Sequence, residues 1–286
     1  EGIAVTACDR SGRAKLGALA EELEAAGAVL RLGDGYLQGL DQDVIFRTPG
    51  LRPDAPELEA ARARGSVITS EMEVFFQVCP CPIIAVTGSD GKTTTTTIIA
   101  ELLRAAGHTV HVGGNIGHPL LAEAGSIRPT DWAVLELSSF QLMTMTRSPH
   151  IAVLTNLAPN HLDVHKSMEE YVWAKENIFR HQQPGDIAVF NLDNAITREL
   201  SAHAPGHPGV DAGAGDGQGH PAIDVDGVHG ELGAVPQVLG VPELVHIAAE
   251  VFQEVVAGAH GNHAHGGVVI ADDAVCHLVD GAVTAA

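Results

Sequence analysis

Thr87-Gly88-Ser89-Asp90-Gly91-Lys92-Thr93-Thr94 sits between the apolar run Ile83–Thr87 and a helical stretch from Lys92 to Ala106. Strand, Gly-containing loop and helix in that order form the context a phosphate-binding loop requires. Small residues let backbone amides approach oxyanions, and the start of a helix adds partial positive charge. Lys92 can reach the β- and γ-phosphates of a nucleotide, and the Thr93 hydroxyl can ligate Mg²⁺. The generic pattern carries a further Gly where this chain has Val86, a departure that points to a specialised subclass.

Outward from the loop, short apolar runs alternate with helical stretches, the pattern of an α/β protein with a mostly parallel sheet. Towards the N-terminus the pattern predicts strands at Ile3–Cys8, Val29–Leu32, Val44–Arg47 and Val67–Thr69, and a helix over 14–26. Towards the C-terminus it predicts strands at Val110–Val112, Trp132–Leu137, Ile151–Thr155 and Ile187–Asn191, and a helix over 168–181. Pro80 and Pro82 mark a boundary. The expected organisation is therefore a Rossmann-like domain over 1–80, a phosphate-loop ATPase-type domain over 81–200 and an atypical tail over 201–286.

The tail stands apart because all 16 Lys and Arg lie at or before Arg198. A stable domain of that size with no basic residue is far from ordinary composition. Residues from about 200 onward are expected not to continue the fold, as a shifted reading frame or chimeric assembly would produce, although Val241 to Ala259 has helical spacing. A metal-binding tail, with His260, His263 and His265 close together, is the competing reading.

The chain has 286 residues, 45% hydrophobic and 18% charged, a globular composition with room for two domains. A net charge of −20 argues against wrapping nucleic acid. No run of about 18 apolar residues predicts a membrane span, and the start at Glu1 lacks both an initiator Met and the features of a signal peptide. Of the four Cys, Cys79 and Cys81 are separated by one residue and no second pair completes a zinc cage, so reduced thiols in a cytoplasmic protein are expected.

Several further segments follow predicted strands, at the end of the sheet where ligands bind in such folds. Val112-Gly113-Gly114-Asn115-Ile116-Gly117 offers flexible backbone and one amide side chain. Glu136 closes a strand and continues into Leu137-Ser138-Ser139-Phe140-Gln141, and a carboxylate there suits Mg²⁺ held against phosphates. Asn156, Asn160 and His161-Leu162-Asp163-Val164-His165 follow another strand, and Lys175 lies in the next helix. His165 reads as structural. Asp9, just past the first strand, suits a ribose or base ligand and as readily a turn or helix cap.

Gly88 to Thr94 resembles the phosphate loop of the Mur ligases. Gly114-Asn115-Ile116-Gly117, Glu136-Leu137-Ser138-Ser139-Phe140-Gln141 and Asn160-His161-Leu162-Asp163 are similar to the members that add D-glutamate, and the resemblance covers nearly all of residues 1–200. Members that add the third amino acid usually have Glu-Val-Ser-Ser-His at the Glu136 segment.

The resemblance implies that Gly88, Ser89, Asp90, Gly91, Lys92, Thr93 and Thr94 bind ATP, with Thr93, Glu136 and His161 as Mg²⁺ ligands. It implies that Asn115 and Ser138 contact the UDP-muramoyl substrate, that Asp9 and the turn Thr48-Pro49-Gly50 hold the uridine part, and that Lys175 is carbamylated and steadies a second Mg²⁺. Lys92, His161 and Lys175 are then the catalytic set. The implied reaction joins D-glutamate to UDP-N-acetylmuramoyl-L-alanine through an acyl phosphate, in a cytoplasmic monomer. The family's first strand, its His-Asn adenine motif and its third domain are not found in the sequence, so this chain is expected to be inactive or impaired; the alternatives are a non-catalytic module that binds ATP and the UDP-muramoyl substrate, or a related ligase for another amino acid.

Overall fold

The computed structural model describes residues 3–159, 165–205 and the backbone of 207–212. The chain separates into two compact units, Glu1–Ser70 and Glu71–Ala286.

The first unit runs β1 (Thr6–Asp9), α1 (Arg13–Leu16), α2 (Ala18–Ala25), β2 (Val29–Leu32), β3 (Val44–Phe46), α3 (Pro56–Ala63) and β4 (Val67–Thr69). β1 pairs in parallel with β2, and β3 with β4. Strand β1 starts at Thr6 rather than Ile3 because β2 supplies partners only from Val29 onward, and Ile3 is left 84% exposed. The single helix expected over 14–26 is divided at Gly17, whose φ of 54° and ψ of −128° suit no L side chain. Helix α3 opens with Pro56, carries Glu57 and Glu59 in its first turn and Arg62 in its last, an order that complements its dipole. Leu58 and Ala61 on its inner face pack with Leu40 into a small core.

The second unit runs α4 (Glu71–Val78), β5 (Ile83–Thr87), α5 (Lys92–Ala105), β6 (Val110–Gly114), a 3₁₀ segment (Leu120–Ser126), β7 (Trp132–Glu136), α6 (Ser139–Leu142), β8 (Ile151–Leu154), α7 (Met168–Arg180), β9 (Ile187–Asn191), α8 (Ala195–Ser201) and β10 (His207–Ala212). Six strands form one parallel sheet in the order β10-β9-β8-β5-β7-β6. From β5 the chain crosses to the far edge at β6, returns to β7, and then passes to β8 on the other side. The strand order therefore reverses at β5, and ligands in such folds bind beyond the carboxyl ends of the strands at that point.

The sheet is covered on both faces, as parallel sheets are. Side chains alternate along each strand: Ile83, Ala85, Ala133, Leu135, Ala152 and Leu154 face one core, while Ile84, Val86, Trp132, Val134, Ile151 and Val153 face the other. The first core is closed by Met72, Phe75 and Phe76 of α4, Leu142 of α6 and Tyr171, Ile178 and Phe179 of α7. The second is closed by Ile99, Ala100 and Leu103 of α5. Helix α4, which the sequence pattern did not single out, is thus part of the first of these cores. Val86, standing where the generic phosphate loop has Gly, is fully buried in the α5 layer, so the loop itself begins only at Gly88.

Phe75 has no exposed surface. Replacing Phe75 with Ala is expected to cost about 3–5 kcal/mol, read as a lowered urea midpoint. Trp173→Ala, on the half-exposed side of α7, is expected to stay within about 1 kcal/mol.

Candidate functional site

The loop after β5 is shaped by two glycines. Gly88 has a φ of 155°, and a Cβ there would lie 1.9 Å from Thr155 Oγ1. Gly91 caps α5 in the left-handed region, at φ 76°. The residues following β8 brace the loop from the side. Ser89 N–H donates to Asn156 O at 2.9 Å, and Asp90 N–H donates to Asn156 Oδ1 at 3.0 Å. Thr155 Oγ1 donates to Asp90 O at 2.7 Å. Ser89 Oγ accepts from Ala158 N–H at 2.9 Å and lies 3.0 Å from the Tyr171 hydroxyl. The amides that open α5 have no partner within the helix, which leaves them for an anion. Lys92, its first residue, folds back to donate from Nζ to Ser89 O at 2.9 Å.

Glu136 ends β7 beside this loop and is 2% exposed. Its carboxylate accepts from Thr93 Oγ1 at 2.6 Å and from Asn115 Nδ2 at 2.8 Å. Asn115 is fixed in turn because its own N–H donates to Glu136 O at 2.7 Å. That approach is possible only because residue 114 is Gly: its φ is 92°, and a Cβ there would stand 2.1 Å from Glu136 O. Thr93, Asn115 and Glu136, proposed separately from sequence, are therefore brought into one hydrogen-bonded group. Among the described residues, no group of three or more His, Cys, Asp and Glu forms a cation cage. One carboxylate and one hydroxyl suit a hard cation that takes its remaining ligands from water and phosphate oxygens.

Lys175 of α7 is 2% exposed, and its Nζ donates to Gly88 O at 2.9 Å and to Thr87 Oγ1 at 3.1 Å. The amine also stands 4.9 Å above the Tyr171 ring. Burial, helped by the charge of Lys92 and opposed by Glu136, lowers its pKa to about 7. A neutral amine keeps two N–H bonds, so both contacts survive loss of the proton. Thr87 and Tyr171 were not picked out from sequence. The available signal was that Tyr171 and Lys175 are four apart on one helix and so share a face.

Ser138 caps α6 in a reciprocal box with Gln141: its N–H donates to Gln141 Oε1 at 2.9 Å, and its Oγ accepts from Gln141 N–H at 3.3 Å. Next to it, Ser139 Oγ lies 2.8 Å from His165 Nε2, and His165 stacks on Phe140 with centroids 5.1 Å apart. His161, with Asn160, Leu162, Asp163 and Val164, lies outside the described residues, as do the tail histidines His260, His263 and His265 and the helical stretch 241–259.

In the first unit, Asp9 ends β1 and its Oδ1 accepts from Ser11 N–H at 2.6 Å, a local turn that holds the carboxyl below the usual carboxylate range. Thr48 and Gly50 follow β3 in a turn closed by Leu51 N–H donating to Thr48 O at 3.1 Å. Arg47 Nη1 donates to Leu51 O at 2.7 Å across the same turn.

The depressed pKa of Lys175 fixes the sign of a pH effect. The unfolded chain holds this proton up to the ordinary lysine range and the folded chain gives it up near pH 7, so the penalty is full below pH 7 and fades as pH rises. Stability relative to Lys175→Met is therefore expected to climb between about pH 7 and 10 by a few kcal/mol. Denaturant unfolding of both proteins in CO₂-free buffer checks this, and parallel pH profiles would contradict it.

Comparison with known proteins agrees with this geometry. Residues 86–222 match the Mur ligase middle domain. The UDP-N-acetylmuramoylalanine–D-glutamate ligase of Acetivibrio thermocellus is 55% identical over 206 residues, which are 72% of this chain and 44% of that protein. The ligase of the same name from Symbiobacterium thermophilum is 54% identical over 204 residues, 71% of this chain and 45% of its own. The chain thus spans less than half the length of these relatives. Among solved structures, UDP-N-acetylmuramate-alanine ligase MurC of Thermotoga maritima is similar at 27% identity over 63% of this chain and 42% of that one, with a TM-score of 0.40. With a phosphate loop at the switch point of a parallel sheet and relatives above 50% identity, the chain carries a Mur ligase middle domain over residues 86–222.

Proposed function

We propose that this chain serves the ATP-dependent addition of D-glutamate to UDP-N-acetylmuramoyl-L-alanine, an amide-forming step of peptidoglycan synthesis. The observation that carries the reading is the buried Glu136 carboxylate, held by Thr93 and Asn115 at the mouth of the phosphate loop. The names of the relatives support D-glutamate as the incoming amino acid, as does Phe140-Gln141 in place of the His of other members.

A carboxylate is a poor acyl electrophile, so the alanyl carboxylate is first phosphorylated by ATP and the acyl phosphate is then attacked by the amine of D-glutamate. Backbone amides at the start of α5 and the Lys92 ammonium hold the phosphates and offset repulsion as two anions meet. Mg²⁺ would rest on Glu136, Thr93 and, outside the described residues, His161, and would polarise the transferring phosphoryl group. Lys175, neutral near pH 7, is a nucleophile suited to CO₂, and its carbamate would place an acid beside the loop. Asn115 and Ser138 would meet the muramoyl part, and Asp9, Thr48 and Gly50 the uridine part. Water-soluble substrates suit a cytoplasmic monomer, and among the described residues no helix is long and apolar enough to cross a membrane.

A second reading, nucleotide binding without ligation, rests on the same loop, since Lys92 and the Thr93–Glu136 pair would hold a nucleotide whether or not an amide is formed. Two measurements separate the readings. Calorimetry with Mg-ATP is expected to show binding that Lys92→Met weakens by about tenfold or more, since a charge-assisted contact is lost. Phosphate release is then followed with UDP-N-acetylmuramoyl-L-alanine and D-glutamate. Release that needs both substrates supports ligation, binding without release supports the second reading, and no binding at all overturns both.

A further inference from the structure

Cys79 and Cys81 lie in the link between α4 and β5, away from the phosphate loop, and take no part in the chemistry above. Their sulfurs are 3.5 Å apart, across a single intervening proline. The two are not equivalent. Cys81 is buried in the core lined by Met72 and Ile83, whereas Cys79 is partly exposed, between the exposed residues Val78 and Pro80.

We propose that Cys79 and Cys81 form a peroxide-reactive dithiol, in which Cys79 is oxidised by a hydroperoxide and Cys81 resolves the product as a disulfide. Three observations support it. Cys79 is partly exposed at the edge of the core, while Cys81 is buried within it. The neighbouring thiol holds the Cys79 thiol below the ordinary cysteine range, because the Cys81 S–H can donate to the Cys79 thiolate. Cys81 itself is pushed up by that same contact, by burial and by the Asp131 carboxylate, so the charge settles on the outer sulfur. In addition, Cα atoms two residues apart span at most roughly 7 Å, and a disulfide accepts about 4.4–6.8 Å, so closing the bond requires little more than a bend at Pro80.

The chemistry balances in two steps. The Cys79 thiolate attacks the terminal oxygen of the hydroperoxide; an S–O bond forms, the O–O bond breaks, and the electron pair leaves on the alkoxide, which takes a proton from water. The Cys81 sulfur then attacks Cys79; an S–S bond forms, the S–O bond breaks, and hydroxide leaves with the Cys81 proton as water. The dithiol loses two electrons and the peroxide gains them. Cys8 provides an internal comparison: it is partly buried, no thiol is paired with it among the described residues, and burial raises its pKa.

The test uses the full chain, reduced, freed of small thiols and treated with tert-butyl hydroperoxide before alkylation and tryptic mapping. The expected product is the peptide Gly65–Lys92, lighter by two hydrogens, unalkylated and restored by dithiothreitol, formed about tenfold or more faster than Cys8 is lost. In Cys81→Ser, dimedone is expected to label Cys79; in Cys79→Ser, the peptide is expected to stay unlabelled. Full alkylation of both cysteines after peroxide, loss of Cys8 at an equal rate, or a cross-link between chains would each overturn the proposal. The unsubstituted chain alone decides between these, whatever the fate of the variants.

Discussion

A carboxylate taken out of water at the end of β7 is the constraint from which the site is built. Burying a charge is tolerable only where polar groups replace its hydration. Around Glu136 these groups come from two directions: Thr93 from the first turn of α5, and Asn115 from the turn after β6. Neither is a cation, so the negative charge is solvated without being neutralised by either. The backbone adjusts to the same requirement: Gly114 leaves room for Asn115 N–H to reach the Glu136 carbonyl. Strand end, helix start and loop are thereby locked in one geometry, with a polarised carboxylate aimed where a cation and phosphates would meet.

The opposite problem is solved across the loop by Lys175. An amine buried among Tyr171, Thr87 and Gly88 has acceptors for its N–H bonds but, among the described residues, no carboxylate in direct contact, and its proton is correspondingly loose. Thr87 Oγ1 couples this amine to the sheet, because it donates its single proton to Leu137 O at 2.7 Å and so presents lone pairs to Lys175. Lys92 disfavours the charge of Lys175, while Glu136 favours it. The loop thus sits between one partly exposed cation, Lys92, and one buried amine able to be neutral, two nitrogen groups with different tasks drawn from the same residue type.

Much of this was legible in sequence because parallel strands covered on both faces must read as continuous apolar runs. Ile83–Thr87 and Ile187–Asn191 are found at those bounds, and α5 and α7 end within one residue of the expected positions. The phosphate loop, Asn115, Glu136 and Lys175 were legible because each follows a strand or shares a helix face with the crevice. What escaped was set by contacts remote in sequence or by backbone angles. A lone Gly in a helical pattern is usually tolerated, so the break at Gly17 had no local sign. Helix α6 is four residues long and held by a capping box, too short for any periodicity to register. Tyr171 against Ser89, and Thr155 and Asn156 against the loop, depend on strands β5 and β8 being neighbours, which no local pattern reveals.

The same distinction separates the two chemical features of the second unit. The phosphate crevice follows from topology: wherever the order of a parallel sheet reverses, strand ends and helix starts converge, and polar residues placed there act together. The cysteine pair follows from chain geometry alone, one proline holding two sulfurs within 3.5 Å. It acquires its asymmetry only from the fold, because the core that closes α4 against the sheet covers Cys81 and leaves Cys79 partly open. Packing that exists to bury Phe75 and Met72 thereby decides which cysteine is the less buried. In both places, reactivity arises from unequal burial of like groups: two lysines beside one loop, two thiols beside one proline.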